Sequence, residues 1–492
     1  MSSMKGDSHM PSMRPSTECD VLIVGIGAAG VMAALEAARE GADVCVISKM
    51  PNRAPNCTTR AFGDLTYSTD ETTDELFSQV VETGGFLNDQ QLVEAFVADV
   101  PSALARLRQV GIEFDEPRQT SPEMPGTVRW SYRGKDAGLT MTEALREGAE
   151  ELGARFFYDQ MATRVLTDGE RAVGLATINL REQALAAWQA KSIVIASGGG
   201  ARAYPRTDNP PGATGDGIVL AYEAGAELVD LECVSFQFPK QRVAEVFAAP
   251  EVPYEPLLGL GHAHYFLGGI RIGESGETTL PGLYAAGEVT GGLFGAARLG
   301  GSALADTVVF GARAGRAAAL AARETETPNL DEEELAEEAQ CLERLATGTA
   351  RPAELAEETR ELLWRYCGTM KTAETLDTAV KELGALAEPM EDLGATNGEE
   401  LREAIEARNI HRLGELLARA SLLREETRGC YWRVDHPQPD NEGQLRNIII
   451  HKVEDGPELR TEPTVTTRIA QPGEPRIGPG CFGYIEREPS GD

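Results

Sequence analysis

Asp20-Val21-Leu22-Ile23-Val24-Gly25-Ile26-Gly27-Ala28-Ala29-Gly30 is the stretch that decides the fold. Its first half is a short, nearly all-apolar run, the pattern of a strand covered on both faces. An alanine-rich helix to about Arg39 follows, Gly41 supplies its C-cap, and Val44-Cys45-Val46-Ile47 reads as a second buried strand. Strand, glycine turn, helix and strand within about thirty residues make a βαβ unit. At such a turn the backbone N–H groups of a helix N-terminus face a pyrophosphate. Gly25 makes the turn, Gly27 lets the phosphate approach, and Gly30 lets the helix pack on the strand. Small residues also serve tight packing, so the turn alone does not decide between a dinucleotide and a packing role. The acid expected to bond a ribose at the end of the second strand is replaced by Ser48-Lys49, a hydroxyl and a positive charge.

A chain of 492 residues exceeds what one hydrophobic core usually serves, so two or three packed units are expected. The net charge of −32 argues against a nucleic-acid partner, which would need a basic surface. No apolar run has the length of a membrane span, and the first residues lack the apolar core of a signal peptide. Residues 1–18 therefore read as a disordered tail and the chain as cytoplasmic. Its 8 cysteines are scattered without C-x-x-C spacing, so no metal site is expected.

Amphipathic helices are read over 74–112, broken near Gly84-Gly85 and Pro101, and over 140–153. Short strands are expected within Arg155–Asn179. Ser192–Ala196 reads as another buried strand that runs into Ser197-Gly198-Gly199-Gly200. A loop over 210–217, a helix over 218–225 and a small-residue helix from Ser302 to about Ala322 come next. Residues 331–425 carry Glu, Leu, Arg and Ala at helical spacing, which predicts three to five antiparallel helices as a separate layer. After Cys430 the chain reads as irregular.

Further blocks make the nucleotide site specific: Ala196-Ser197-Gly198-Gly199-Gly200-Ala201-Arg202; Thr207-Asp208-Asn209 with Thr214-Gly215-Asp216-Gly217; HYFLGGI at 264–270; and PGLYAAGE with FGAARLGGSALADTVVFGARAG at 281–315. With the N-terminal unit, they resemble the FAD-dependent flavoproteins of succinate dehydrogenase, fumarate reductase and L-aspartate oxidase. The resemblance implies an α/β fold: a Rossmann-like FAD-binding domain of the glutathione-reductase type, a vestigial capping segment and a C-terminal helical domain. The expected boundaries are 19–239 and 262–325 for the FAD-binding domain, 240–261 for the capping segment, 326–430 for the helices and 431–492 for an irregular end.

Carried over residue by residue, the resemblance puts Gly25, Gly27, Ala28, Ala29 and Gly30 on the FAD pyrophosphate and Ser48 and Lys49 near the adenosine ribose. Thr58, Thr59, Arg60, Gly63 and Asp64 would lie along the isoalloxazine, and Ala162 would meet the adenine through its backbone. Ser197, Gly198, Gly199, Asp216, Gly287 and Glu288 would line the phosphate, ribityl and ribose region, while Ala303 and Leu304 would present N–H groups to the flavin pyrimidine. Cys57 occupies the position of the histidine that tethers FAD in succinate dehydrogenases, and a buried, inert thiol there implies non-covalent FAD.

On the substrate side His264 and Arg298 match the carboxylate-binding histidine and arginine, with His262 a weaker candidate. Several features depart. Phe238-Pro239-Lys240-Gln241 replaces an H-P-T-G segment, Phe294 and Ala297 replace a histidine and an asparagine, and Tyr431-Trp432 breaks a motif that keeps Arg428 and Arg433. The 22 residues of the capping segment are too few for a core of their own, and only Arg242, Tyr254 and Glu255 are polar candidates there. The resemblance thus implies an FAD oxidoreductase acting on a carboxylate-bearing or larger organic substrate, with fumarate itself disfavoured. Phe238, Phe266 and Phe294 are candidate walls for an open site. The alternatives are an electron-transfer flavoprotein subunit working with a redox partner protein, and a flavin-binding pseudoenzyme.

Overall fold

The computed structural model describes residues 14–61, 64–69, 71–114, 118–119, 128–131, 136–237, 261–454 and 456–469. Its centre is a seven-stranded sheet built around β1 (Arg14–Val24). Helix α1 (Ala28–Arg39) follows the glycine turn, β2 (Val44–Ile47) lies parallel to β1, and β3 (Arg155–Phe157) extends that edge. On the other side β6 (Ala184–Ile195) lies parallel to β1, then β5 (Ala172–Asn179) and β4 (Gln160–Thr167) continue antiparallel. Further along, β7 (His262–Phe266) pairs with Val234–Gln237, and β8 (Leu283–Ala285) returns to the main sheet beside β6. Val21, Leu22, Ile23, Val44, Cys45 and Val46 are all buried, as a parallel sheet clad on both faces requires.

β1 begins at Arg14 and not after residue 18, because Arg14 and Thr17 pair through their backbones with Ala186 and Trp188. Residues 1–13 lie outside the described part.

After α1 come α2 (Thr73–Thr83), α3 (Gln90–Gln109), α4 (Ala137–Glu151), α5 (Asp216–Glu223) and α6 (Ser302–Arg323). The break near Gly84-Gly85 is present, but α3 runs through Pro101. Proline there forfeits one backbone bond, and the burial of Val97, Val100, Ala103 and Leu104 around it holds the helix together.

The contact between α1 and α6 positions the site. A Cβ on Gly311 would stand 2.7 Å from the Ala29 carbonyl oxygen, and one on Gly315 would stand 2.2 Å from that of Ala33. Only glycine permits that approach. Because residue 29 meets 311 and residue 33 meets 315, the two helices run parallel, and α6 starts nine residues before its contact with the first turn of α1. At the α-helical rise this carries the N-terminus of α6 about 13 Å beyond that of α1.

The expected helical layer consists of α7 (Glu332–Leu345), α8 (Pro352–Cys367), α9 (Ala373–Ala385), α10 (Ala387–Glu391) and α11 (Gly398–Leu423). It is not a separate core. Leu363, Trp364, Ile410 and Leu413 join the main apolar cluster, and α7 with the start of α11 covers β4 to β6. The segment after Cys430 is also more regular than expected: Arg446–Val453 and Gly456–Pro463 form an antiparallel hairpin that adds to a five-stranded sheet. Ile448, Ile449 and Ile450 anchor it in the interior.

Candidate functional site

The carboxyl ends of β1, β2, β6 and β8 deliver the loops at 25–30, 48–50, 196–200 and 286–288 to one edge of the sheet, the crevice where open parallel sheets bind ligands. The three glycines of the turn are required for different reasons. Gly25 has φ +115°, and a Cβ on it would stand 2.2 Å from the Ala196 carbonyl oxygen. A Cβ on Gly30 would stand 2.0 Å from the carbonyl oxygen of Gly25. Both are therefore packing requirements. Gly27 is different: its φ of −72° and ψ of 176° suit any residue, and the nearest atom to a Cβ there is Thr58 Oγ1 at 3.6 Å. The open space in front of α1 needs no glycine for the protein's own sake, but it does for a phosphate cradle.

Gly198 lies on the same edge with φ +83° and nothing within 4 Å of where a Cβ would stand. Ser197 Oγ is buried without a hydrogen-bond partner. At α6 the N-cap is Gly301, with φ +85° and no side-chain cap, so the amides around Ala303 and Leu304 carry the helix's positive end uncapped by a side chain. Thr58 holds its loop to the first turn of α1 by accepting from Ala28 N at 3.1 Å, and Asn56 and Thr59 brace each other. Arg60 is exposed. Gly63 lies outside the described residues, and only the backbone of Asp64 is described. Ala162 sits in β4 opposite Thr177, beside a break in register, and Ala28, Ala29, Gly199 and Gly287 are buried along the crevice.

Ser48 accepts from Met50 N, while Lys49 turns inward. Its Nζ lies 2.6 Å from each of Thr214 Oγ1, Asp216 Oδ2 and Glu406 Oε1, and Asp216 also accepts from Asn409. The Lys49 charge expected near the adenosine ribose is thus taken up by two carboxylates, one of them on α11. This triad clamps the helical layer to the crevice, and no local sequence signal links residue 49 to residue 406.

Arg298 lies at the other end. Its guanidinium carbon stands 4.5 Å from the centre of the Tyr265 ring, one nitrogen donates to the Leu299 carbonyl, and its Nε is buried without a partner. Glu288 and Asp306 both feel its charge. Glu288 accepts from Phe266 N at 3.1 Å, and burial pushes its carboxyl up to about 7 against the pull of Phe266 N–H and Arg298. Asp306, almost fully buried with one oxygen unpartnered, is pushed by burial up to about 8 despite Arg298. A carboxyl raised in the folded state from an ordinary 3.8 costs stability as pH climbs from about 4 to about 8. Asp306→Asn removes that cost. The variant's stability relative to wild type should therefore rise between pH 5 and pH 8, each unit adding up to about 1.4 kcal/mol, as followed by urea unfolding of both proteins.

His264 is held elsewhere on β7. Its Nδ1 lies 2.8 Å from Asp208 Oδ2, with His262 Nε2 at 3.6 Å from the same oxygen. The register with Val234–Gln237 slips between Tyr265 and Ala263, which leaves His264 as an unpaired bulge residue and sets the pairs His264–Asp208 and Tyr265–Arg298 at adjacent positions of β7. Glu288 feels both Arg298 and Asp208 and so links the two. Asp208 and Asp306 were legible only as members of glycine-rich blocks.

Two of the candidate walls and the two retained C-terminal arginines have structural partners. Phe266 is fully buried, and Phe294 is buried in edge-to-face contact with Phe96 and Tyr265. Arg428 pairs with Glu426 and donates to the Gly85 carbonyl, while Arg433 pairs with Asp435 and donates to the Arg424 carbonyl. Phe238, Arg242, Tyr254 and Glu255, with nearly all of the capping segment, lie outside the described residues.

The sequence pattern of the FAD binding domain matches residues 20–246 and 245–304, and that of the fumarate reductase flavoprotein C-terminus matches 356–477. The chain is similar to one subunit of the CoM/CoB fumarate reductase of Methanothermobacter marburgensis, with 29% identity covering 89% of this chain and 98% of the relative. It is also similar to the L-aspartate oxidase of Streptomyces coelicolor, with 25% identity over 96% and 97% of the two chains. The fold matches a solved E. coli quinol fumarate reductase FrdA with a TM-score of 0.83 at 22% identity, covering 94% of this chain and 99% of that one.

Proposed function

Because this chain belongs to the FAD-binding flavoprotein family of fumarate reductases, succinate dehydrogenases and L-aspartate oxidases, we propose that it moves hydride between FAD and a carboxylate-bearing or larger organic substrate other than fumarate. The observation that carries the reading is the open cradle at Gly27 together with the uncapped N-terminus of α6 about 13 Å further on. One helix end suits a pyrophosphate, and the second suits the flavin pyrimidine that gains negative charge on reduction. Unpartnered Ser197 Oγ, Arg298 Nε and Asp306 Oδ1 give the crevice polar groups to offer a ligand.

Bound FAD supplies a two-electron carrier that exchanges hydride with carbon. Gly25 and Gly30 shape the turn, Gly27 with the α1 amides would hold the phosphates, and the Ala303 and Leu304 amides would hold the flavin. Arg298, stacked on Tyr265, grips a substrate carboxylate with parallel hydrogen bonds and fixes the reacting carbons over the ring. The 27–29% identical fumarate reductase relatives support the chemistry. Phe238, Phe294 and Ala297, in place of the expected polar groups, support a different substrate. The FAD-domain match breaks at 245–246, inside the short capping segment, which supports a more open site.

The reading is tested by mixing dithionite-reduced holoprotein anaerobically with unsaturated carboxylates and with quinones. Rapid reoxidation by a carboxylate supports it. Reoxidation by a quinone or a redox protein alone supports the carrier alternative, in which the chain works as a subunit, as the Methanothermobacter relative is named.

The cofactor is bound without a covalent link. Cys57 Sγ donates to Asn209 Oδ1 at 3.0 Å, and burial with the nearby acids Glu288 and Asp208 pushes the thiol well above its ordinary range. A thiol so held supplies little thiolate. Acid precipitation should leave the flavin in the supernatant, and Cys57→Ala should retain full FAD occupancy by absorbance.

A further inference from the structure

We propose that His264 is the proton donor and acceptor of this site and that Asp208 is the residue that positions it. The inference rests on the oxidoreductase reading above, which needs a proton at one carbon for each hydride at its neighbour.

A carboxylate is acceptor-only, so the 2.8 Å contact fixes the hydrogen of His264 on Nδ1 and leaves Nε2 as the working atom. Burial alone would raise the Asp208 carboxyl, yet the neighbouring His262 and the hydrogen bond from His264 hold it well below the usual carboxylate range and keep it ionised. The loop that carries Asp208 is laced to β7. Asn209 Nδ2 donates to Asp208 Oδ1 at 3.0 Å and to the His264 carbonyl at 2.7 Å. Thr207 Oγ1 donates to the Ala263 carbonyl at 2.7 Å, and Ala263 N donates to the Arg206 carbonyl at 2.8 Å. Asp208 therefore cannot swing away from the ring it holds. Among the described residues no other histidine lies within 3.5 Å of a carboxylate oxygen.

The pair is also accessible. The two histidine side chains are each 28% exposed and that of Asp208 is 40% exposed, so substrate and solvent both reach them. The charged and titratable groups around the pair are His262 on its own strand, Cys57 through Asn209, and Glu288 from the loop after β8, which feels the Asp208 charge. Asp208 is the group in hydrogen-bond contact with the His264 ring.

In the reducing direction the two electrons of the C=C π bond and the hydride pair form two C–H bonds. With bound reduced FAD supplying the hydride for one carbon, the His264 imidazolium would give its Nε2 proton to the other. His264 is left neutral with Nδ1–H still donated to Asp208, and a solvent proton restores Nε2–H. In the dehydrogenating direction neutral Nε2 would take the proton, with bound oxidised FAD as the acceptor of the hydride.

The test uses FAD-loaded full-length protein, His264→Gln, Asp208→Asn and Asp208→Glu. The first readout is independent of turnover: a low-field Nδ1–H proton resonance in wild type that is lost in His264→Gln and Asp208→Asn and returns in Asp208→Glu. The second is single-turnover reoxidation of dithionite-reduced protein by fumarate, mesaconate, crotonate and cinnamate, with benzoquinone as an acceptor that needs no protonation of carbon by the protein.

His264→Gln should keep the wild-type flavin spectrum and quinone rate and lose about 10²–10⁴-fold with the best alkene. Asp208→Asn should move the alkaline limb of the pH–rate profile for alkene reduction, where the imidazolium loses its proton, to lower pH, and Asp208→Glu should restore part of the shift. A wild type active on an alkene, with His264→Gln within threefold of it or Asp208→Asn leaving the resonance and profile unmoved, overturns the proton role alone. A wild type reoxidised by quinone but by none of the alkenes overturns the hydride-transfer reading and the proton role with it.

Discussion

Gly27→Val should fold like wild type and emerge colourless, with FAD affinity at least about 100-fold weaker in a titration of the apoprotein. The backbone at residue 27 is extended and accommodates valine, and Thr58 Oγ1, at 3.6 Å, is an ordinary contact for its Cβ. The fold loses only the difference between glycine and a poor N-cap, about 1 kcal/mol. The valine methyls, however, fill the space in front of the α1 amides, where the pyrophosphate must come within hydrogen-bond distance. A loss on the order of 3 kcal/mol is about a hundredfold. Gly25→Ala provides the contrast: its Cβ would stand 2.2 Å from a carbonyl oxygen at φ +115°, so that variant should fail at folding and not at binding. Equal damage to stability from both substitutions, or a yellow Gly27→Val protein, would place the turn's requirement in packing alone.

Removal of Arg298 is the second large effect. Arg298→Ala should retain FAD and its spectrum while kcat/KM for an active carboxylate substrate falls about 10²–10⁴-fold, the cost of leaving a desolvated carboxylate without its partner. Arg298→Lys should recover less than about a tenth of wild type. An ammonium can neither stack flat on Tyr265 nor give two parallel hydrogen bonds. Arg298 is also the cation that both Glu288 and Asp306 feel, so its loss leaves two buried acids without compensation. Both carboxyls should then titrate higher still, and the variant should lose stability most at alkaline pH. Steady-state kinetics at constant flavin content separates the two effects, and unchanged kcat/KM in either variant would remove Arg298 from the substrate site.

The sequence carried the centre of the fold because a parallel strand covered on both faces leaves a continuous apolar record, as in Val21–Val24, and because a glycine turn marks the strand–helix junction. It carried α6 for a related reason: a helix with Gly311 and Gly315 one turn apart is built for close approach. It did not carry the early start of β1. Arg14, Thr17 and Glu18 pair with β6 through backbone groups, which leave no apolar pattern in the sequence. Nor did it carry the terminal hairpin, whose three isoleucines are followed by His451, Lys452 and Glu454 and so read as an isolated apolar patch.

At the site, residues whose role comes from backbone space were legible at Gly25, Gly27 and Gly30. Residues whose role comes from a distant partner were not. Lys49 is set by Glu406, Arg298 by Tyr265 and Asp306, and His264 by Asp208, 56 residues away in sequence. Phe266 and Phe294 misled for the converse reason, since an aromatic side chain in a core and one in a pocket wall carry the same local signal.

The most direct measurement is a fluorescence titration of the apoprotein with FAD and, in parallel, with FMN. One saturable FAD site per chain, with FMN binding far more weakly for want of the adenylate half, is the predicted result, because phosphate and flavin are gripped by helix ends about 13 Å apart. No saturable quenching by FAD, or equal affinity for FMN, would contradict a crevice that holds both ends of one dinucleotide.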